Sequence, residues 1–383
     1  MIKQLTVALL GGLALAPAWA VAEVSSPRQI ADRPAAHCQT PRWSPDGKQI
    51  AFDVYRPKKD ERETWILKFE GDRKADEEEV TTGRAAAAAA LGGGSKPPVV
   101  DFAWAHDMTA LSKPFVFSSR GVRKNFDLFA DGQWLTDKNP GNDGQPAWSP
   151  DGRFIAYTSQ RADSGDIYVL DLANDSKNLQ VTLWPNATEF RPVWAPGKAY
   201  LLFTRSHSGA KGQDIGMVVD VTRPNETTKM VTTWTGDEIR PSWAPDASRV
   251  AFYANKGNTN DKEFDLYVVG IDGQNAKRLA KDVVVDEVLG PAWSPDGSAV
   301  LFVKKDFKRD NPVMWARADG SASGVLDTGT QLNGDLALFG DATGRMRLAF
   351  KAQGQKGSTD KTWERLYLVT FGMEDLKPSA AGE

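Results

Sequence analysis

The sequence predicts an all-β fold, a seven-bladed β-propeller of four-stranded antiparallel blades. One observation is a heptapeptide of the form Pro-x-Trp-Ser-Pro-Asp-Gly, which recurs along the chain with small changes. A second is an aromatic residue that stands nine positions after the tryptophan of each close copy. The third is the distance between copies, which is close to the roughly 40–50 residues of propeller blades. No segment after the amino terminus has sustained helical periodicity.

Five copies of the heptapeptide match closely, and they begin at Pro41, Pro146, Pro192, Pro241 and Pro291. The aromatic residues at constant spacing are Phe52, Tyr157, Phe203, Phe252 and Phe302. Two degenerate copies, Trp104 with Phe117 and Phe339 with Phe350, bring the number of repeats to seven. The first step, from Trp43 to Trp104, is 61 residues, and the other five steps are 44 to 50 residues. The longer first step contains an insertion.

Each repeat has the pattern of four short strands. The Ser-Pro-Asp-Gly turn joins the first strand to the second, because proline presets φ and glycine accepts a positive φ. The second strand alternates in polarity, as in Gln49–Phe52, and a polar loop separates it from a third strand such as Ile167–Leu170. A fourth strand follows, as in Gln180–Thr182. Each repeat is therefore predicted to form one blade.

The two ends of the chain predict how the ring closes. After Leu366–Val369, the third strand of the last repeat, no fourth strand follows. Before the first repeat, Arg28–Ala31 resembles the missing strand. We therefore expect the amino-terminal strand to complete the last blade, which removes an open edge that would otherwise favour aggregation.

Residues 1–20 are predicted to be a secretory signal peptide, since Lys3 precedes the apolar stretch Leu5–Ala16 and the small-x-small site Ala18–Ala20. Residues 21–383 then form one propeller domain, in a periplasmic or secreted protein. The insertion, residues 71–98, is poor in large apolar residues and is expected to be a mobile loop. Within it, Glu77–Thr81 is a candidate fourth strand for the first blade.

Composition narrows the partner class. The net charge is −3, and the basic residues are scattered along the chain, so a nucleic-acid-binding surface is not expected. No later segment is apolar enough to span a membrane. The single cysteine, Cys38, cannot form an intrachain disulfide; we expect a small, partly buried residue, with pairing between chains as the alternative. The chain is therefore expected to be a monomer.

The heptapeptide, the strand Ile50–Phe52 and the strand Ile167–Val169 together resemble the TolB β-propeller repeat, over nearly the whole mature chain. TolB proteins are periplasmic members of the Tol–Pal envelope system; their six-bladed propeller binds the peptidoglycan-associated lipoprotein and follows an α/β domain. The resemblance implies a non-enzymatic scaffold that binds protein partners in the cell envelope. Seven blades, and the lack of room for the amino-terminal domain, depart from the TolB pattern.

Similar propellers also occur in enzymes. Prolyl-oligopeptidase-like peptidases need a Gly-x-Ser-x-Gly nucleophile elbow, which this sequence lacks. Oligogalacturonate lyases have seven blades and a metal site of clustered histidines, whereas His37, His106 and His207 stand in separate repeats without ligand spacing. We therefore expect no catalytic residue, no cofactor and no metal. The alternative is a polysaccharide-directed propeller, either a lyase or a lectin-like sugar-binding protein.

Charged residues just before the repeat tryptophans are the predicted partner-binding site. Five positions before the tryptophan stand Asp143, Glu189 and Glu238; three positions before it stand Arg191 and Arg240; Glu287 stands six before Trp293. This segment leads into the innermost strand, so these groups are expected to ring one mouth of the central channel. They would hold a partner segment or a cation. The alternative is that neighbouring glutamates and arginines pair between blades and brace the ring.

Two further tryptophans belong to the same prediction. Trp184 and Trp234 follow fourth strands and precede the charged segments. Since tryptophan is enriched at binding hot spots, they are candidate exposed anchors for the partner. The alternative is that they pack between blades.

Overall fold

The computed structural model describes residues 24–81, 97–109, 114–120, 125–161, 164–174, 177–207, 212–257, 262–306, 310–360 and 362–376. The predicted signal peptide, residues 1–20, lies outside the described residues. So does the part of the insertion from 82 to 96. Among the described residues, no helix has both the length and the apolar character needed to cross a bilayer.

The described chain forms seven four-stranded antiparallel sheets, as predicted. The strands of each blade are named from the innermost to the outermost. The amino-terminal strand, β1 (Arg28–Ala31), belongs to the last blade. Blade 1 consists of β2 (His37–Trp43), β3 (Gln49–Arg56), β4 (Glu61–Glu70) and β5 (Arg73–Glu79). Blade 2 consists of β6 (Val99–Trp104), β7 (Phe115–Arg120), β8 (Phe126–Ala130) and β9 (Gln133–Trp134). Blade 3 consists of β10 (Asp143–Trp148), β11 (Phe154–Ser159), β12 (Asp166–Asp171) and β13 (Lys177–Gln180).

The other four blades repeat this order. Blade 4 consists of β14 (Ala187–Trp194), β15 (Leu201–His207), β16 (Gln213–Val218) and, after the one-turn helix α1 (Pro224–Thr227), β17 (Thr228–Met230). Blade 5 consists of β18 (Glu238–Trp243), β19 (Arg249–Ala254), β20 (Phe264–Gly270) and β21 (Lys277–Val283). Blade 6 consists of β22 (Ala292–Trp293), β23 (Ala299–Val303), β24 (Val313–Arg317) and β25 (Ser323–Val325). Blade 7 consists of β26 (Gly334–Gly340), β27 (Arg345–Ala352), β28 (Arg365–Gly372) and β1.

The Ser-Pro-Asp-Gly turn is held by its own side chains. In blade 1 the Ser44 hydroxyl donates to the Asp46 carboxylate at 2.6 Å and accepts from the Gln49 N–H at 2.9 Å. Gly47 has a φ of 65°, a left-handed conformation that glycine adopts without a steric penalty. Blades 3 and 6 repeat the serine–aspartate contact. The turn therefore fixes where the second strand of each of these blades begins.

The repeat tryptophans join neighbouring blades. The indole N–H of Trp104 donates to the backbone carbonyl of Arg42 in the preceding blade at 2.9 Å. The same bond recurs, at 3.0–3.2 Å, from Trp43 to Ala337, Trp194 to Ala147, Trp243 to Val193 and Trp293 to Ser242. Because each large ring fills the space between two sheets and its polar atom is satisfied there, the repeat sets the spacing between blades.

The ring closes through the amino-terminal strand, as predicted. Strand β1 pairs antiparallel with β28, with Arg28 opposite Leu368 and Gln29 opposite Tyr367. The Ser25 N–H extends the pairing with a bond to the Thr370 carbonyl at 2.9 Å. Ile30 is buried in a cluster with blade 1, so one short strand fastens the last blade to the first.

Two details differ from the prediction. Phe339 lies in the innermost strand of blade 7, but Leu338 takes the position of the repeat tryptophan, because Leu338 pairs with Leu348 as Trp43 pairs with Ile50. The Phe339 ring packs on Trp43 with centroids 5.7 Å apart. The fourth strand of blade 1 begins earlier than Glu77, at Arg73, so the start of the insertion belongs to the sheet.

Cys38 is fully buried in this closing region, whereas the sequence suggested a partly buried residue. Burial raises the pKa of its thiol to about 12. Because the thiolate is the reactive form, we expect native protein at pH 8 to resist Ellman's reagent. Unfolding in guanidinium should release one reactive thiol per chain. Rapid labelling of the native protein would contradict the buried position of Cys38.

Candidate functional site

A β-bulge interrupts the innermost strand in six of the seven blades. At each bulge a non-glycine residue has a φ between 48° and 56°, and these bulge residues are Thr40, Asp101, Gln145, Arg191, Arg240 and Asp335. Each stands three positions before the repeat tryptophan, or before Leu338 in blade 7. Such a conformation is uncommon for these residue types, and bulges redirect side chains. The bulge residues line cavities at the centre of the ring.

The acidic and amide bulge side chains link one blade to the next. An oxygen of Asp335 accepts from the Thr40 backbone N–H at 2.8 Å. In the same way, Asp101 accepts from the Gln145 N–H at 3.2 Å, and Gln145 accepts from the Arg191 N–H at 3.0 Å. Asp286, just before blade 6, accepts from the Asp335 N–H at 2.7 Å. These bonds satisfy backbone groups that the bulges leave without a partner in the sheet.

Arg191 and Arg240 interrupt this pattern, because a guanidinium has no acceptor to offer. They occupy adjacent blades and line a cavity of about 140 Å³ in the central channel, which we call the arginine pocket. Within the described part of the chain, neither guanidinium forms a salt bridge. The Nε of Arg240 donates to the Asp286 carbonyl at 3.1 Å. Burial lowers the pKa of Arg191; burial and the charge of Arg191 lower the pKa of Arg240 to about 10.

The opposite side of the channel carries a paired cluster. The Lys351 ammonium lies 3.3 Å from both Asp286 and Asp335 and 3.7 Å from Glu364. Burial would lower the pKa of Lys351, but the two aspartates outweigh it and the pKa is raised. Burial and the charge of Asp335 raise the pKa of Asp286 to about 6. The charge of Lys351 is therefore already compensated by carboxylates, whereas Arg191 and Arg240 form no salt bridge with any described residue.

The sequence predicts Asp143, Glu189 and Glu238 at the channel mouth, but none of the three is exposed there. All three are fully buried, with 0% of their surface exposed. Burial raises the pKa of Glu189 and of Glu238 to about 7 each, and the neighbouring charge of Asp166 and Asp214, respectively, adds to the effect. The physical reason for the misplacement is the bulge, because an extra residue changes which face the preceding side chains occupy.

The alternative pairing between blades is not found either. Glu189 and Glu238 form no salt bridge with Arg191 or Arg240 among the described residues. Instead each glutamate faces the third strand of the preceding blade, where Asp166 or Asp214 lies. Asp143 accepts from the Asn139 side-chain amide at 2.8 Å, and burial raises its pKa. Glu189 and Glu238 are therefore structural elements between blades, whereas Asp143 is buried beside a cavity that Asn142 and Gln160 also line.

Of the remaining predicted site residues, one lies at the rim of the channel and two pack between blades. Glu287 is exposed and lines a cavity of about 240 Å³ beside the channel, as expected of a rim residue. Trp184 packs on Phe203 of the next blade with centroids 5.7 Å apart, and Trp234 packs on Phe252 at 5.3 Å. Both tryptophans are half-buried, so they follow the alternative of packing between blades.

The cavities described here share one side of the ring, the upper face, which we define as the side where the innermost strands begin. A cavity of about 410 Å³ lies among blades 2 to 4 and is lined by Asn142, Gln160 and Thr188. Another of about 700 Å³ lies among blades 5 to 7 and is lined by Lys305 and Leu332. Together with the arginine pocket, they make the upper face the concave side of the described structure.

Sequence reasoning missed four channel residues, which are Asp101, Asp286, Asp335 and Lys351. Asp101 stands three positions before Trp104, so the repeat alignment itself could have identified it. The repeat pattern does not reveal Asp335, because it matches Phe339 and not Leu338 to the tryptophans. Asp286 and Lys351 carry no sequence signal, since only the closed ring brings them together.

No protein-family model matches the chain. The Tol-Pal system protein TolB of Methylococcus capsulatus is 30% identical over 81 residues, which are 21% of this chain and 19% of that protein. The chain therefore matches less than a fifth of the length of this curated relative.

Solved structures are similar over more of the chain. A putative TolB from Agrobacterium tumefaciens has 19% identity and a TM-score of 0.50, covering 72% of this chain and 95% of that one. An oligogalacturonate lyase from Vibrio parahaemolyticus has 12% identity and a TM-score of 0.58, covering 94% and 100%. In the described residues, no three His, Cys, Asp or Glu side chains are grouped to hold a metal ion. The repeats and the fold together show a TolB-like β-propeller.

Proposed function

We propose that this chain is an exported, periplasmic and non-enzymatic scaffold that binds a protein partner of the cell envelope on its upper face. The observation that carries the proposal is the arginine pocket, where two adjacent guanidiniums in a channel cavity form no salt bridge with a carboxylate of the described residues. The local identity to the Tol-Pal system protein TolB supports a role in the envelope.

The distribution of titratable groups favours binding over catalysis. A general acid or base has a pKa near neutrality and must touch its substrate. Glu189 and Glu238 have suitable pKa values, about 7, but both are fully buried between blades. Lys351 is held by carboxylates on three sides. Arg191 and Arg240 are accessible in the arginine pocket, and guanidiniums are suited to holding an anion.

A pull-down from a periplasmic extract tests the proposed function. We expect the Arg191→Gln/Arg240→Gln variant to recover at least about tenfold less of the partner than wild type, since losing a charged hydrogen bond costs about 1.5–3 kcal/mol. The matched control is Lys48→Gln/Lys198→Gln, which removes two exposed positive charges from turns on the opposite face. This control should recover the partner like wild type.

Three results would contradict the proposed function. Equal recovery of the partner by the arginine variant and wild type would show that the upper face is not the binding surface. A stoichiometric metal ion in the purified protein, or cleavage of oligogalacturonate, would replace the scaffold with the polysaccharide-directed alternative. Metal analysis and a glycan screen on the purified wild type provide these measurements.

A further inference from the structure

Resting on the proposed function, we infer that the arginine pocket receives the carboxyl terminus of the partner chain, with the terminal carboxylate between Arg191 and Arg240 and an apolar last side chain beside it. Three properties of the pocket lead to this ligand: its charge, its size and its lining.

The charge favours a single carboxylate. Arg191 and Arg240 carry like charges, and the charge of Arg191 is one cause of the lowered pKa of Arg240. The carboxylates whose charges reach them are Asp101, Asp286 and Glu287, and none of these forms a salt bridge with either arginine in the described structure. An anion bound between them relieves the repulsion. Arginine binds carboxylates through two parallel hydrogen bonds, which also sets their orientation.

The size favours the end of a chain. The pocket volume is about 140 Å³. A protein cavity of about 150 Å³ holds one benzene molecule. The space therefore admits about one residue. A chain terminus enters such a site once, whereas an internal segment has to enter and return. Capture of a terminal carboxylate is an established way in which proteins recognise peptides.

The lining favours an apolar neighbour to the carboxylate. Apart from the charged and amide groups, the pocket is lined by Phe102, Pro146, Pro192, Val193, Pro241 and Val288. Apolar walls stabilise an apolar side chain in proportion to the area they cover. They offer few hydrogen-bond partners to the hydroxyl groups of a sugar. A uronate would therefore pair with the arginines but leave its hydroxyl groups without partners along the walls.

Arginine side-chain NMR on the full chain tests this inference. The probes are N-acetyl-L-leucine, its neutral amide N-acetyl-L-leucinamide, and galacturonate. We expect N-acetyl-L-leucine to shift the Nε–Hε resonances of Arg191 and Arg240 in a saturable way, with at least tenfold weaker effects from the other two probes. Each arginine is assigned by the loss of its resonance in the Arg191→Gln and Arg240→Gln variants.

Matched variants separate a specific site from general charge. Arg240→Lys keeps the positive charge but loses the paired donors, so we expect it to bind N-acetyl-L-leucine at least fivefold more weakly than wild type. Arg73→Gln, on an exposed outer strand, should bind like wild type. Equal shifts from the acid and the amide, or no shift from either, would overturn the inference, and stronger binding of galacturonate would assign the pocket to a uronate.

The inference and the proposed function fail separately. If N-acetyl-L-leucine binds as expected but no envelope protein is recovered in the pull-down, the arginine pocket binds a terminal carboxylate and the proposed scaffold function is wrong. If the arginine variant loses the partner while N-acetyl-L-leucine fails to bind, the upper face is the binding surface but the ligand is not a terminal carboxylate.

Discussion

The Ile30→Asp variant is expected to lose about 3–5 kcal/mol of unfolding free energy, since it combines loss of a buried aliphatic side chain with burial of a charge. Ile30 is 5% exposed and lies in one cluster with Ile50 and Phe52 of blade 1, while its strand is hydrogen-bonded to blade 7. A charge at this position therefore weakens the contact between the first and last blades. Urea denaturation at pH 7, followed by tryptophan fluorescence, measures the change.

Gln29→Glu is the matched control for this variant. It adds the same charge on the same strand, one position away, on an exposed side chain. We expect its unfolding free energy to change by less than about 1 kcal/mol, as is usual for surface substitutions. If Ile30→Asp were no less stable than Gln29→Glu, the strand Arg28–Ala31 would not be the element that closes the ring.

The blade architecture could be predicted because each blade repeats the same local solution. The proline, tryptophan and turn residues act within a few positions of one another, as Ser44 does with Asp46 and Gln49. Closure was predictable for a similar reason, since a repeat with three strands needs a fourth and Arg28–Ala31 was available. Both inferences depend on sequence patterns that recur, and neither needs a long-range contact to be known.

The candidate site was only partly predictable, because the bulges decide which side chains face the channel. Side chains alternate along a strand, and one inserted residue exchanges the faces. Arg191 and Arg240 stand at the bulge and do line the channel. Glu189 and Glu238 stand two positions earlier and point between blades. A bulge in a non-glycine residue has no sequence signature, so the repeat alone could not separate the two sets.

The buried carboxyls of Glu189 and Glu238 lead to a prediction about pH. The pKa of Glu189 and of Glu238 is about 7 in the fold, against an ordinary value of 4.5 for glutamate. A carboxyl whose pKa is higher in the folded protein contributes stability that is present at low pH and is lost as pH rises through the folded value. From pH 5 to pH 8 each glutamate should therefore reduce the unfolding free energy by about 2 kcal/mol.

Replacing both residues, as Glu189→Gln/Glu238→Gln, keeps their size and removes their ionisation. Relative to wild type, the double variant should gain about 4 kcal/mol of unfolding free energy between pH 5 and pH 8. Groups in the same range that do not interact with either glutamate, such as Asp286, are common to both proteins and cancel in the difference. Urea denaturation at half-unit pH intervals gives the two profiles.

An exposed pair provides the control, because Glu70→Gln/Glu226→Gln removes two carboxyls from the surface. Its profile should run parallel to that of wild type, since both side chains are exposed, at 69% and 71%, and exposed ion pairs contribute little to stability. Parallel profiles for the buried pair as well would mean that Glu189 and Glu238 are ionised and solvated in the folded protein. The contacts between blades 3, 4 and 5 would then be hydrated, and the assignment of these carboxyls to the space between sheets would be wrong.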